Sequence, residues 1–116
     1  MHNDFRITDE TTLKDIENGL RETFFAEKTD EFLRSDQGQT DIRANVYDRY
    51  NRALKYTVPW VSRAIDLKDK RVVEIGCGTG SSTAAFSHFV AEVSGYDIDE
   101  PSIAGAERRQ QIMALK

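Results

Sequence analysis

Glu74, Gly76, Gly78, Gly80 and Asp97 are the residues whose types and spacing could do chemistry. The three glycines fall at every second position in E-I-G-C-G-T-G. Glycine at that density frees the backbone to turn sharply and lets a ligand come close to bare amides. Asp97 follows Gly76 by 21 residues. That is the spacing at which an acidic side chain reaches the ribose hydroxyls of a nucleotide bound over a glycine turn. A dinucleotide site would use G-x-G-x-x-G with a helix N-terminus facing pyrophosphate. Here the run is G-x-G-x-G, the position three after Gly78 is Ser81, and an acid stands two residues before the first glycine. A carboxylate there suits a ligand bearing an ammonium group better than one bearing phosphates.

The elements that would position these residues are legible. Arg71-Val72-Val73-Glu74-Ile75 is β-branched and apolar enough for an interior parallel strand. Ala85, Phe86, Phe89 and Val90 lie at helical spacing, so a helix over residues 81–90 starts right after the glycines. Its first N–H groups carry partial positive charge. Residues 93–96 form a second strand, with Asp97 at its carboxyl end. Asp99 reads as a helix N-cap because Glu100 and Pro101 follow it. A last helical pattern spans residues 101–115.

At this point residues 72–108 resemble the class I S-adenosylmethionine-dependent methyltransferases. The resemblance rests on the acid, the three glycines, the Gly-x-Asp ending at Asp97, and the Ala-x-x-Arg-like helix from Ala104 to Arg108. It implies an α/β fold: N-terminal helices followed by the first β-α-β-α unit of a Rossmann-like methyltransferase sheet, a partial domain. It also implies S-adenosylmethionine as cofactor. Glu74 would sit near the methionyl amino end. Gly76, Cys77 and Gly78 would line the methionine and ribose portion, and Gly80 would join them in binding the cofactor or serve only the turn and close helix packing. Asp97 would accept from the ribose hydroxyls, and Ile98 would lie on the adenine face or in plain core. Cys77 reads as a small filler, since nothing nearby makes it a nucleophile.

The chain has 116 residues and a net charge of −4, enough for one small domain and against the basic face that nucleic-acid binding uses. A single cysteine excludes an internal disulfide, and with His2 and His88 far apart no metal site is expected. His88 reads as a surface or capping residue. No apolar run approaches the roughly 20 residues of a membrane span, and the first residues lack the apolar core of a signal peptide. A cytoplasmic protein is the default expectation.

Residues 1–66 read as a helical cap and residues 67–116 as the start of the cofactor-binding unit. Residues 1–10 look irregular. Leu13, Ile16, Leu20 and Phe24 predict an amphipathic helix over 11–27, and Thr29-Asp30 starts a short second one. The polar, glycine-containing residues 35–39 predict a loop. Ile42, Val46, Tyr50 and Leu54 then carry a long helix, with a kink or new start near Thr57-Val58 ahead of Pro59. The cap would pack against the sheet or close over the cofactor as a lid. In the second case Tyr47 and Tyr50 would meet the cofactor, an arginine would meet the methionyl carboxylate, and Trp60 would be a packing anchor.

The resemblance implies a larger sheet than the two strands legible here. A fragment of a longer enzyme, a short form completed by a second copy or a partner chain, and a remnant all fit. No visible residue stands out as a general base, so no catalytic residue is named. The acidic balance favours a small-molecule methyl acceptor. Two other readings remain open: a non-catalytic assembly module and an NAD-binding oxidoreductase fragment.

Overall fold

A computed structural model describes residues 4–115. Two helices open the chain, α1 (Glu10–Glu22) and α2 (Asp30–Arg34). A long helical rod follows over residues 36–64. It contains α3 (Asp36–Arg43), a first π turn (Ala44–Asp48), α4 (Arg49–Arg52), a second π turn (Ala53–Thr57) and α5 (Val58–Ala64). Then come β1 (Arg71–Ile75), α6 (Ser81–Ser87), β2 (Glu92–Tyr96) and α7 (Glu100–Ile112). The strands pair in parallel with Val72 opposite Val93 and Ile75 opposite Tyr96. This is a mixed helix-and-strand fold with a two-stranded parallel sheet, consistent with a partial Rossmann-like domain.

Local chemistry sets the boundaries. Asp9 accepts the Thr12 N–H at 2.9 Å and starts α1. The helix ends before residue 27 because Thr23 turns its hydroxyl back to the Gly19 carbonyl at 2.8 Å and the chain unwinds there. The unwinding lets Phe24 and Phe25 pack edge to face at 4.9 Å. Thr29 caps α2 as expected, and Asp99 caps α7 through the Ser102 N–H at 3.1 Å.

The long rod departs from expectation at its start. Residues 35–39 are not a loop: Ser35 caps α3 by accepting the Gly38 N–H at 3.1 Å. Gly38 is there for space, since a Cβ on it would run into the Phe32 carbonyl. Near Pro59, where a kink or new start is expected, the helix changes type: the second π turn ends at Thr57 and α5 begins at Val58. Val58 stays helical at φ −61° and ψ −50°. The second π turn widens the ladder just ahead of the proline, which absorbs the missing N–H and the ring's clash with the preceding turn.

The helical rod and the sheet unit share their cores. Tyr50, Ala53 and Val58 pack with Leu67, Ala84, Ala85 and Phe86. Ile16, Leu20, Phe25, Leu33, Ile42 and Val46 form a second cluster that also takes Ile112 of α7 and Met113 just after it. The N-terminal helices are thus a layer against α6 and α7. α6 packs against β2 and covers one face of the sheet. On the other face Val73, Ile75 and Tyr96 are 60%, 80% and 57% exposed. Trp60 is not a packing anchor: it is 69% exposed on the outer side of α5. No helix among the described residues is long and apolar enough to cross a membrane, and no cluster among them could hold a metal ion.

Candidate functional site

The site is built at the carboxyl ends of the two strands. β1 delivers the chain into the glycine turn, and β2 brings Asp97 beside it. Gly76, Gly78 and Gly80 all take left-handed backbone, at φ +73°, +58° and +81°. Such angles cost a residue with a Cβ and explain why glycine recurs. A Cβ built on Gly76 or Gly78 meets nothing within 4 Å, so this side of the turn is open. Gly80 is different. It is buried, and a Cβ there would sit 3.0 Å from Ala106 Cβ on α7. Of the two roles expected for Gly80, the structure places it in the second: it packs the turn against α7, away from the open side, and is not positioned as a cofactor contact.

The turn's amides are not bare. Gly76 and Cys77 both donate to the Tyr96 carbonyl, at 2.7 and 3.0 Å, and Gly80 donates to the Cys77 carbonyl at 3.0 Å. The Gly78 N–H donates to Asp97 Oδ2 at 2.9 Å. A ligand here would meet glycine Cα surface and a carboxylate rather than a ring of free N–H donors. That arrangement disfavours the pyrophosphate of a dinucleotide.

Asp97 also accepts the Asp99 N–H at 2.9 Å. The Asp99 and Gly78 N–H groups hold its carboxyl below the usual range. Each oxygen keeps lone-pair capacity for a hydroxyl donor. Ile98, beside it, is fully exposed, so the core alternative for that residue is overturned. Glu74 is half-buried, and its carboxylate accepts the Thr83 hydroxyl from the first turn of α6. It braces helix to strand and places negative charge beside the turn. Cys77 is buried, and its side chain lies where a Cβ on Gly95 would go. Burial, then Glu74 and Asp97, push its thiol pKa up, so it is a filler and not a nucleophile.

The two tyrosines separate. Tyr50 is fully buried, with its hydroxyl donating to the Phe5 carbonyl at 2.6 Å, and burial pushes its pKa up to about 12. It is a core residue with no surface for a ligand. Tyr47 is half-buried against the Ile16 cluster and keeps surface. His88 is the C-cap of α6, as read from the sequence.

Residues that sequence reasoning missed stand behind the turn. Thr79 is buried and donates to Asn45 Oδ1 at 2.9 Å. Arg109 is 1% exposed and bonds the Thr79 carbonyl through Nε at 3.0 Å. The neighbouring Arg108 is at the surface, paired with Glu22 at 2.6 Å. Neighbouring helix positions point about 100° apart, and only packing decides which arginine goes in.

A groove of about 320 Å³ runs between α6, β2 and α7. All of Val93, Ser94, Gly95 and Tyr96 line it, which a strand can do only along its edge. Gly76, Gly78 and Asp97 do not line it, so it is separate from the open side of the turn.

Residues 73–115 match the family model described as "Methyltransferase domain". That match supports a class I S-adenosylmethionine-dependent methyltransferase family for this segment. No curated protein and no solved structure matches the chain. The methyltransferase match covers both strands' carboxyl ends, the glycine turn, Asp97 and α7, and its family generally uses S-adenosylmethionine as methyl donor. The helical layer lies outside the matched residues.

Proposed function

We propose that this chain is a methyltransferase that binds S-adenosylmethionine over Gly76 and Gly78 and serves methyl transfer to a small-molecule acceptor. The observation that carries the reading is the open side of the turn, where two left-handed glycines leave free space beside Asp97. The donor set fits the group: carboxylates for hydroxyl and ammonium donors, an exposed apolar side chain for a flat ring, and no cluster of free amides for phosphate.

When bound, S-adenosylmethionine supplies a methyl group on a sulfonium, so the protein's work is positioning. Asp97 accepts hydrogen bonds from the ribose hydroxyls with the capacity left by Gly78 and Asp99. Glu74 attracts the ammonium end while Thr83 fixes its rotamer. Gly76, Cys77 and Gly78 present main chain to the methionine and ribose portion. Ile98 covers one face of the adenine, which removes its own exposed surface from water. Tyr47 is the tyrosine with surface left to reach a ligand. Calorimetric titration of the 116-residue chain with S-adenosylmethionine, with NAD as control, tests the reading. Binding of the first alone supports it; binding of NAD alone, or of neither by a folded sample, overturns it.

One observation favours a second reading, an assembly module that pairs with another copy of itself. Val73, Ile75 and Tyr96 form an uncovered apolar sheet face, and both outer strand edges are unpaired among the described residues. Sedimentation tests it: a dimer lost on Ile75→Lys supports it, and a monomer at all concentrations removes it.

A further inference from the structure

Three segments far apart in sequence meet behind the glycine turn in one buried polar network. Thr79, between Gly78 and Gly80, points away from the open side and is buried. Its hydroxyl donates to Asn45 Oδ1 at 2.9 Å. Asn45 Nδ2 donates to the Asp41 carbonyl at 2.9 Å, which fixes the amide's orientation. The Thr79 carbonyl accepts from Arg109 Nε at 3.0 Å. Arg109 also donates through Nη1 to the Val46 carbonyl at 3.2 Å and through Nη2 to the Asn45 carbonyl. No carboxylate among the described residues pairs with this guanidinium.

The partner of Arg109 on the rod is the first π turn. There the bonds run to the fifth residue back, as from the Arg49 N–H to the Ala44 carbonyl. A switch from α to π and back leaves a carbonyl out of the ladder, and such turns persist where something else bonds it. Arg109 does so at Asn45 and Val46. Apolar side chains could fill this space without desolvating a cation, so directional bonds are what the network adds.

We infer that Asn45, Thr79 and Arg109 are positioning residues that clamp the glycine turn from behind and couple a ligand on its open side to the π turn of the N-terminal rod. The coupling rests on the cofactor reading above; the clamp does not. Both of Thr79's outward bonds end on the rod or on α7, so the turn cannot shift without breaking them. Ligand that holds the turn therefore holds Asn45, and by reciprocity a rod that keeps Asn45 in place favours the ligand.

Amide hydrogen exchange on the full chain tests this. The Gly78 and Gly80 amides, bonded to Asp97 and to the Cys77 carbonyl, report the turn. Amides 44–48 report the π turn, and those of Ile16 and Leu20 report α1 as a control. Thr79→Val removes the hydroxyl at constant shape, and Asn45→Ala removes its acceptor should the first variant fail to fold. Either is expected to speed exchange at Gly78 and Gly80 by about tenfold, the worth of one hydrogen bond, with α1 unchanged. Thr79→Ser is expected to restore the wild-type rate. Equal rates in Thr79→Val and Thr79→Ser, or a rise at every amide including α1, overturns the clamp. Adding S-adenosylmethionine is expected to slow exchange at 44–48 in wild type and not in Thr79→Val. Protection confined to the turn overturns the coupling. Failure of wild type to bind S-adenosylmethionine strikes the cofactor reading, while the ligand-free rates still decide the clamp.

Discussion

The Gly78 N–H donates to Asp97 Oδ2 at 2.9 Å, so the acid at the end of β2 also closes the glycine turn. Turn and acid are one unit. The Asp99 and Gly78 N–H groups lower the Asp97 pKa below 3.8. A carboxyl with a depressed folded pKa contributes its stability above the unfolded value and loses it as pH falls through the folded one. Turn closure should therefore persist at neutral pH and fail only in acid. Asp97→Asn keeps the shape but gives up the charge and one acceptor. It should weaken S-adenosylmethionine binding several-fold or more, because hydrogen bonds to a charged group are lost. Titration calorimetry at pH 7 checks this, and wild-type affinity in the variant removes Asp97 from the ribose role.

The glycines should separate binding from folding. Gly78→Ala places a Cβ in open space, so its cost is the left-handed backbone at φ +58°, about 1–2 kcal/mol. Gly78→Val should abolish ligand binding with a comparable or slightly larger loss of stability, because the added methyls fill the cradle. Gly80→Ala carries the backbone cost at φ +81° and also drives a Cβ to 3.0 Å from Ala106 Cβ. It should lose more stability than Gly78→Ala. Urea unfolding ranks the variants, and equal losses at the two positions contradict the packing assigned to Gly80.

How much of this was legible in the sequence follows from how local each feature is. The strand, turn, helix, strand and Asp99 cap were readable because β-branched runs, glycine spacing and capping residues act within a few positions. Residues 35–39 were misread because glycine normally marks a turn, whereas Gly38 is needed for close approach to the Phe32 carbonyl. At Pro59 the new start at Val58 was legible from the proline, but the π turn ahead of it cannot be seen in residue types. Tyr47 and Tyr50 lie three apart on the same rod, and the packing of Phe5 and His88 around Tyr50 is what commits it to the core. The clamp was beyond reach of any local pattern: Thr79 and Asn45 are 34 residues apart, and Arg109 and Asn45 are 64 apart.

Arg108 and Arg109 should respond in opposite ways to the same change. Arg109→Met would strip the donors from three buried carbonyls, at Thr79, Val46 and Asn45. An unpartnered buried carbonyl costs about 1–3 kcal/mol, so a loss of about 3 kcal/mol or more is expected. Arg109→Lys should recover only part, because one ammonium cannot span the three acceptors. Arg108→Met breaks a surface pair with Glu22 and should cost about 1 kcal/mol or less. Denaturant midpoints of the three variants test the assignment, and a larger effect at Arg108 reverses it.

His88 should give the fold a pH dependence near neutrality. The Tyr50 hydroxyl spends its hydrogen on the Phe5 carbonyl at 2.6 Å. His88 Nε2, 2.9 Å from the same oxygen, must then be the donor, which leaves Nδ1 as the basic nitrogen. The imidazole stacks on Phe5 with centroids 4.1 Å apart, and burial lowers its pKa below 6.5. Between the lowered value and 6.5 the unfolded chain binds the proton more readily than the folded one. Stability is thus full above 6.5 and is lost as pH falls from 6.5 through the folded pKa. His88→Gln can still donate to Tyr50 but cannot ionise. Thermal melts at pH 7, 6 and 5 should show a steeper fall in midpoint for wild type than for His88→Gln. Every other titratable group is common to both proteins, so the difference in slope isolates His88, and parallel slopes would mean that its ring is free to charge in the folded chain.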